Sequence, residues 1–191
     1  MSLTARTIIH ASTMLASSSA IGMAEALGLI SLDDALGSGY SAGHVDDLAC
    51  ERYVIPASGT QIVNLSTLVD PIGDRAVFLS AKVLVVKASP GNAAAVTMKP
   101  NTTHPWAAPF GNSTTVVRVE AGGLVLLSNQ AAGGWEVTED SADQLLLTNT
   151  SGAAEATVDV MLIGVGGWLS LDQNDFTMDN SNITWDSSGS I

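Results

Sequence analysis

The chain has one cysteine, Cys50, so no internal disulfide can staple it, and its stability must come from packing or from assembly with other chains. A lone thiol of this kind is expected to be buried or passive. Aromatic residues make up only 5% of the 191 residues, and cations are also scarce: seven Lys and Arg stand against nineteen Asp and Glu, a net charge of -12. No Lys or Arg follows Arg118, while acids continue from Glu120 to Asp186. Affinity for nucleic acid comes largely from cations that neutralise phosphates, so no direct DNA or RNA partner is expected, and an anionic membrane is disfavoured on the same ground. No apolar run approaches the roughly 18 residues of a membrane span. Arg6 precedes a mildly apolar segment, but Ser17, Ser18 and Ser19 interrupt it, and a secretory signal is not expected.

Groups that do chemistry are equally sparse. The three histidines, His10, His44 and His104, lie far apart with no pair at zinc-ligand spacing. Gly39-Tyr40-Ser41-Ala42-Gly43 matches the G-x-S-x-G pattern, which needs a strand before the serine and a helix after it. Coil or a helix end precedes it here and β-type chain follows, so it reads as a glycine loop. Gly164-Val165-Gly166-Gly167 follows a strand like a dinucleotide loop, yet Leu169 stands where the last glycine belongs and no helix pattern follows. It reads as a flexible strand exit. Asp172, Asn174 and Asp175 could begin a calcium loop, but Phe176 and Thr177 occupy positions that need a ligand and a glycine.

Adjacent acids at Asp33-Asp34, Asp46-Asp47 and Glu139-Asp140 read as turn decoration rather than a glycosidase pair, which needs a cleft with defined separation. Trp106 and Trp135 could stack a sugar, but core or oligomer-interface positions suit them better in a chain so poor in aromatics. The Asn-x-Ser/Thr sequences at Asn64, Asn101, Asn112, Asn149 and Asn182 follow from composition. No catalytic residue, cofactor or metal is assigned, and the chain is not expected to be an enzyme.

What is present is a run of β-type segments. Three parts are expected: an N-terminal arm over 1–50, a β-sandwich over 51–167 and an acidic C-terminal tail over 168–191. The arm is rich in Ala, Ser and Gly. Met23, Leu27 and Ile30 stand at near-helical spacing, and Ser31 precedes Asp33 and Asp34 as a cap, which predicts one or two short helices. In the middle part, strands are expected at Glu51 to Ile55, Gln61 to Leu65, Ala76 to Ala88, Ala94 to Lys99, Thr115 to Glu120, Gly123 to Ser128, Trp135 to Thr138, Gln144 to Asn149 and Ala156 to Gly164. Turn signals separate them: Asp70-Pro71-Ile72-Gly73, Ser89-Pro90-Gly91-Asn92, Ala121-Gly122-Gly123 and Gly133-Gly134. Thr157, Asp159 and Met161 alternate with Val158, Val160 and Leu162, placing an apolar row on one face. The tail carries isolated large apolar residues, among them Trp168, Phe176 and Trp185, which suit docking on a neighbour.

Several of these segments resemble, in content and order, a family of tailed-bacteriophage virion proteins. They are Gln61-Ile-Val-Asn-Leu-Ser-Thr-Leu-Val-Asp-Pro-Ile-Gly, Val77-Phe-Leu-Ser-Ala-Lys-Val-Leu-Val-Val-Lys-Ala with Gly91-Asn92, and Val117-Arg-Val-Glu-Ala-Gly-Gly-Leu-Val-Leu-Leu. Gly134-Trp-Glu-Val-Thr, Ala142-Asp-Gln-Leu-Leu-Leu-Thr-Asn and Asp159-Val-Met-Leu-Ile-Gly continue the series. The resemblance covers roughly residues 58–165 and leaves both ends unmatched. It implies a structural part of the particle, best a head decoration (cement) protein on the outer head surface, partnered by the major capsid protein and by copies of itself as a trimer. The alternatives are a head-fibre base, a tail component or a carbohydrate-binding receptor component. The expected fold is an all-β antiparallel β-sandwich of jelly-roll type with a helix-bearing arm and an extended tail. Candidate interface residues are Met23, Leu27, Ile30, Trp106, Phe110, Trp168, Phe176 and Trp185.

Overall fold

The computed structural model of the protein describes residues 5–19 and 22–166, which form strands, turns and loops with no helix among them. In one sheet β4 (Asp47–Ile55), β12 (Ala156–Gly166) and β6 (Phe78–Ala88) lie side by side in that order. Along the remaining edge of β6 run β9 (Leu124–Ser128) and then β10 (Trp135–Glu136). The second sheet has the order β5 (Thr60–Asn64), β11 (Gln144–Asn149), β7 (Val96–Pro100), β8 (Val117–Val119). Every ladder in these two sheets is antiparallel. The chain passes from one sheet to the other at each connection except β7 to β8 and β9 to β10.

Alternation explains why these segments pair as they do. Leu145 and Leu147 of β11 and Val96 and Met98 of β7 face Val158, Val160 and Leu162 of β12 and Leu84, Val86 and Ala88 of β6, and all are buried in one cluster. A one-residue slip in any of these strands would turn its apolar row to solvent, so the burial itself enforces the register. The turns are set by short polar side chains. Asp70 Oδ1 accepts the amides of Ile72 and Asp74, with Gly73 at φ 96°. Asn92 exchanges hydrogen bonds with both backbone groups of Thr157, fastening the β6–β7 turn to the start of β12.

Gly164 is not a flexible strand exit. β12 continues through Gly166, and its pairing with β6 shifts register between Ile163 and Gly164. At that bulge a Cβ on residue 164 would run into the Ser80 carbonyl oxygen, so glycine is needed for close backbone approach.

The arm also differs from the expectation. β1 (Ala5–Ser19) and β2 (Gly22–Ser38) form an antiparallel ribbon where short helices were expected. Met23, Leu27 and Ile30 fit a helical spacing, but all three lie in β2 and stand opposite Ser18, Met14 and Ala11 of β1 in the ladder. The propensity of so many Ala, Ser and Gly residues is too weak to decide the matter locally, and strand pairing overrides it. The end of β2, Gly37 and Ser38, pairs in parallel with β3 (His44–Val45).

Below that contact Leu36 and Val45 are buried on Val83 and Ile163, with Leu48, Val85 and Met161 packed around them. These last five lie on the outer face of the first sheet, so the base of the arm covers part of that face. β4 begins at Asp47, ahead of the boundary expected at residue 50.

Candidate functional site

The groups that suggested chemistry are dispersed. Ser41 is exposed in the loop between β2 and β3, strand precedes and strand follows it, and its carbonyl oxygen accepts the Lys82 ammonium at 2.6 Å. His44 is turned into its own loop, Nδ1 lying 2.8 Å from the Ala42 carbonyl. His10 stands in β1. Among the described residues no group of three or more His, Cys, Asp or Glu side chains is placed to hold a metal ion. Cys50, expected to be buried or passive, is exposed on the outer face of β4, because the inward positions of that strand are Ala49, Tyr53 and Ile55.

One buried polar cluster was not foreseen. The Asp143 side chain is wholly buried at the start of β11; Oδ2 accepts Ser66 Oγ at 2.8 Å and the Asp140 amide at 3.2 Å. Oδ1 receives no hydrogen bond from the described residues and faces His104 Nδ1 at 3.7 Å. A serine, a histidine and an aspartate therefore meet, but in the wrong order for acyl transfer. Ser66 is buried and donates to the carboxylate, so no base takes its proton. The cluster ties three segments together: the turn after β5, the long loop of 100–114 and the head of β11, where the Leu65 amide also donates to the Asp143 carbonyl.

A second cluster anchors the arm. Lys82 is fully buried at the bulge of β6, its ammonium held by Ser41, while the Gly43 amide donates to Gln130 in the β9–β10 loop. Burial lowers the Lys82 pKa, and Asp46 opposes that shift. Asp46 also accepts the Gly166 amide at 2.6 Å. Asp47 accepts the amides of Leu48 and Val77 at 2.9 and 3.2 Å.

Burial pushes the Asp47 carboxyl from 3.8 to about 6; its two backbone hydrogen bonds oppose this, and Asp46 and Asp70 reinforce it. An acid whose folded pKa is raised holds its proton better folded than unfolded. Its contribution to stability is complete below about pH 4 and is lost as pH rises through about 6. Discounted for the half-exposed position, that loss is about 1 kcal/mol. Unfolding free energies from urea titrations near pH 4 and near pH 7.5 should differ less for Asp47→Asn than for the wild type by about this amount. An equal difference in both proteins would assign the pH dependence to other groups.

The candidate interface residues separate into three sets. Trp106 is not a surface anchor: it is fully buried, its Nε1 donates to the Glu136 carbonyl at 2.8 Å, and it meets Trp135 edge-on with ring centroids 6.4 Å apart. Phe110 is half-buried against the same core. Met23, Leu27 and Ile30 stand in β2, and Trp168, Phe176 and Trp185 lie outside the described residues.

Lys82 and Asp143 carried one signal each in the sequence, a lone charge beside an apolar run: Val83-Leu84-Val85-Val86 for the first, Leu145-Leu146-Leu147 for the second. The outer face of the first sheet has a half-covered apolar row, Cys50, Met161, Val85 and Leu126, with the charged row Arg52, Asp159 and Lys87 beside it. No family model matches the chain, and a search of curated proteins finds no match either.

Proposed function

We propose that this chain is a structural protein of a tailed-bacteriophage virion: a head decoration, or cement, protein that binds the outer head surface as a homotrimer, contacts the major capsid protein and stabilises the shell. The fold reading that accompanies it is an eight-stranded jelly roll. Strand order is the observation that carries it. With β9 and β10 counted as one interrupted strand along β6, the sheets read β4-β12-β6-β9/β10 and β5-β11-β7-β8. The chain then hops between sheets everywhere but at β7–β8, the order of two interlocked Greek keys, an architecture common in viral capsid proteins.

The segments that resemble phage virion proteins contribute residues to β5, β6, β8, β9, β10, β11 and β12. A net charge of -12 keeps such a protein soluble and away from the packaged genome. A non-enzymatic role is the reading we favour for the two serines, Ser41 standing in a loop between two strands and Ser66 donating to the buried Asp143 carboxylate. A fibre base or tail position keeps the same fold and charge. The carbohydrate-binding alternative loses its best feature, because Trp106 lies in the core and offers no face to a sugar.

Purified protein added to heads that lack it should co-sediment with them and raise the temperature at which they release DNA. Failure to bind heads, or saturable binding to a glycan with none to heads, would overturn the proposal.

A further inference from the structure

The outer face of the first sheet is apolar over more of its length than the arm covers. Its first row, Leu48, Ile163 and Val83 across β4, β12 and β6, packs with Leu36 and Val45 at the base of the arm. In the next row, Cys50 is exposed, and Met161, Val85 and Leu126 are half-buried. Arg52, Asp159 and Lys87 follow on the same strands, with Val54 and Leu124, 53% and 56% exposed, at the margins. The apolar surface thus continues past the point where the arm stops.

β12 delivers the chain to the covered end of this face. Its last residue, Gly166, is fastened there by the Asp46 carboxylate, which accepts its amide. Residues 167–191 lie outside the described residues, but their sequence has a period of seven: Leu169-Ser170-Leu171-Asp172, Phe176-Thr177-Met178-Asp179 and Ile183-Thr184-Trp185-Asp186 each read apolar, hydroxyl, apolar, aspartate. In an extended chain such a triplet has its two apolar side chains on one side and the hydroxyl on the other. A triplet this short cannot bury that side within itself, so the repeat needs a surface supplied from elsewhere.

We infer that the segment 167–191 folds back over the outer face of its own sandwich and lays the apolar side chains of its repeat on the row of Cys50, Met161, Val85 and Leu126. The exit point favours the chain's own segment as the occupant. Met161 stands five positions before Gly166, about 16 Å back along β12, within reach after one reversal, and a tethered segment meets the row at high effective concentration. Charge agrees with it. Every charge in 167–191 is negative, Asp172, Asp175, Asp179 and Asp186, whereas the row beside the apolar one sets Arg52 and Lys87 against Asp159. The inference is independent of the proposed function and of where the chain sits on a particle.

Reaction of Cys50 with dithiobis(nitrobenzoate) in the native full-length chain tests it, because that thiol lies in the row and is the chain's one cysteine. Three forms are compared: the wild type, a double variant with Leu171→Asp and Phe176→Asp at apolar positions of the repeat, and Thr177→Asp at a hydroxyl position, with circular dichroism as the check that the sandwich is folded. The thiol of the wild type and of Thr177→Asp should react at least about tenfold more slowly than that of the double variant, and the wild-type rate should be unchanged on dilution. A wild-type thiol as reactive as that of the urea-unfolded chain overturns the inference whatever the variants do. Equal protection in the double variant overturns it too, since the cover then belongs to another part of the molecule, and so does equal loss in Thr177→Asp, since the effect then follows charge rather than side. Protection lost on dilution also overturns it, the occupant then being a second copy.

Discussion

Replacing Trp106 with alanine is expected to lower the unfolding free energy by about 3–5 kcal/mol, the largest effect of any single truncation considered. The side chain sits in a loop, yet it is fully buried between the sheets, stacked edge-on against Trp135 and hydrogen-bonded to the Glu136 carbonyl. Truncation removes the apolar contacts and leaves that carbonyl without its donor. Trp106→Phe keeps one aromatic ring but loses the other half of the indole with its N–H, and should cost less, about 2–3 kcal/mol. Denaturant midpoints at constant slope measure both. A loss below about 1 kcal/mol for alanine would place Trp106 outside the core and restore it as a surface contact.

Asn149→Ala is expected to cost about 2–4 kcal/mol through hydrogen bonds alone. Asn149 is buried at the end of β11; its amide nitrogen donates to the carbonyls of Ile55, Pro56 and Ala154, and its Oδ1 accepts the Ser151 amide. One side chain thus joins the β4–β5 turn to the β11–β12 turn across the end of the sandwich. Asn149→Asp keeps the acceptor but turns a carboxylate toward three carbonyl oxygens, so it should be at least as damaging as alanine. Unfolding curves, with limited proteolysis at 151–155 as a local readout, check the claim. A near-neutral Asn149→Ala would mean that these carbonyls are satisfied by other donors.

The strands of the sandwich were legible because their alternation is strict where one face is buried. The pattern of Val158, Val160 and Leu162 against Thr157, Asp159 and Met161 is enough to orient β12. Boundaries were less legible: the segment Thr115 to Glu120 pairs only over Val117–Val119, since pairing depends on the neighbour β7 and not on local propensity. The ribbon was illegible because Ala, Ser and Gly carry almost no period, and Met23, Leu27 and Ile30 imitated a helix.

Residues whose role depends on long-range contact were hidden for a different reason. The burial of Trp106 depends on its packing against Trp135 and its hydrogen bond to Glu136 of β10, which no local pattern encodes. Lys82 and Asp143 looked like ordinary charges until Ser41, Ser66 and His104 were brought beside them by the fold. Cys50 shows the same limit, its exposure following from the parity of β4 and from no feature of its own.

Electron microscopy of purified particles with and without this chain tests the proposed role most directly. The account predicts discrete threefold knobs on the outer head surface, present only when the chain is present, with the β-sandwich fitting the density. Density confined to the tail or a fibre, or identical heads in the two samples, would contradict it.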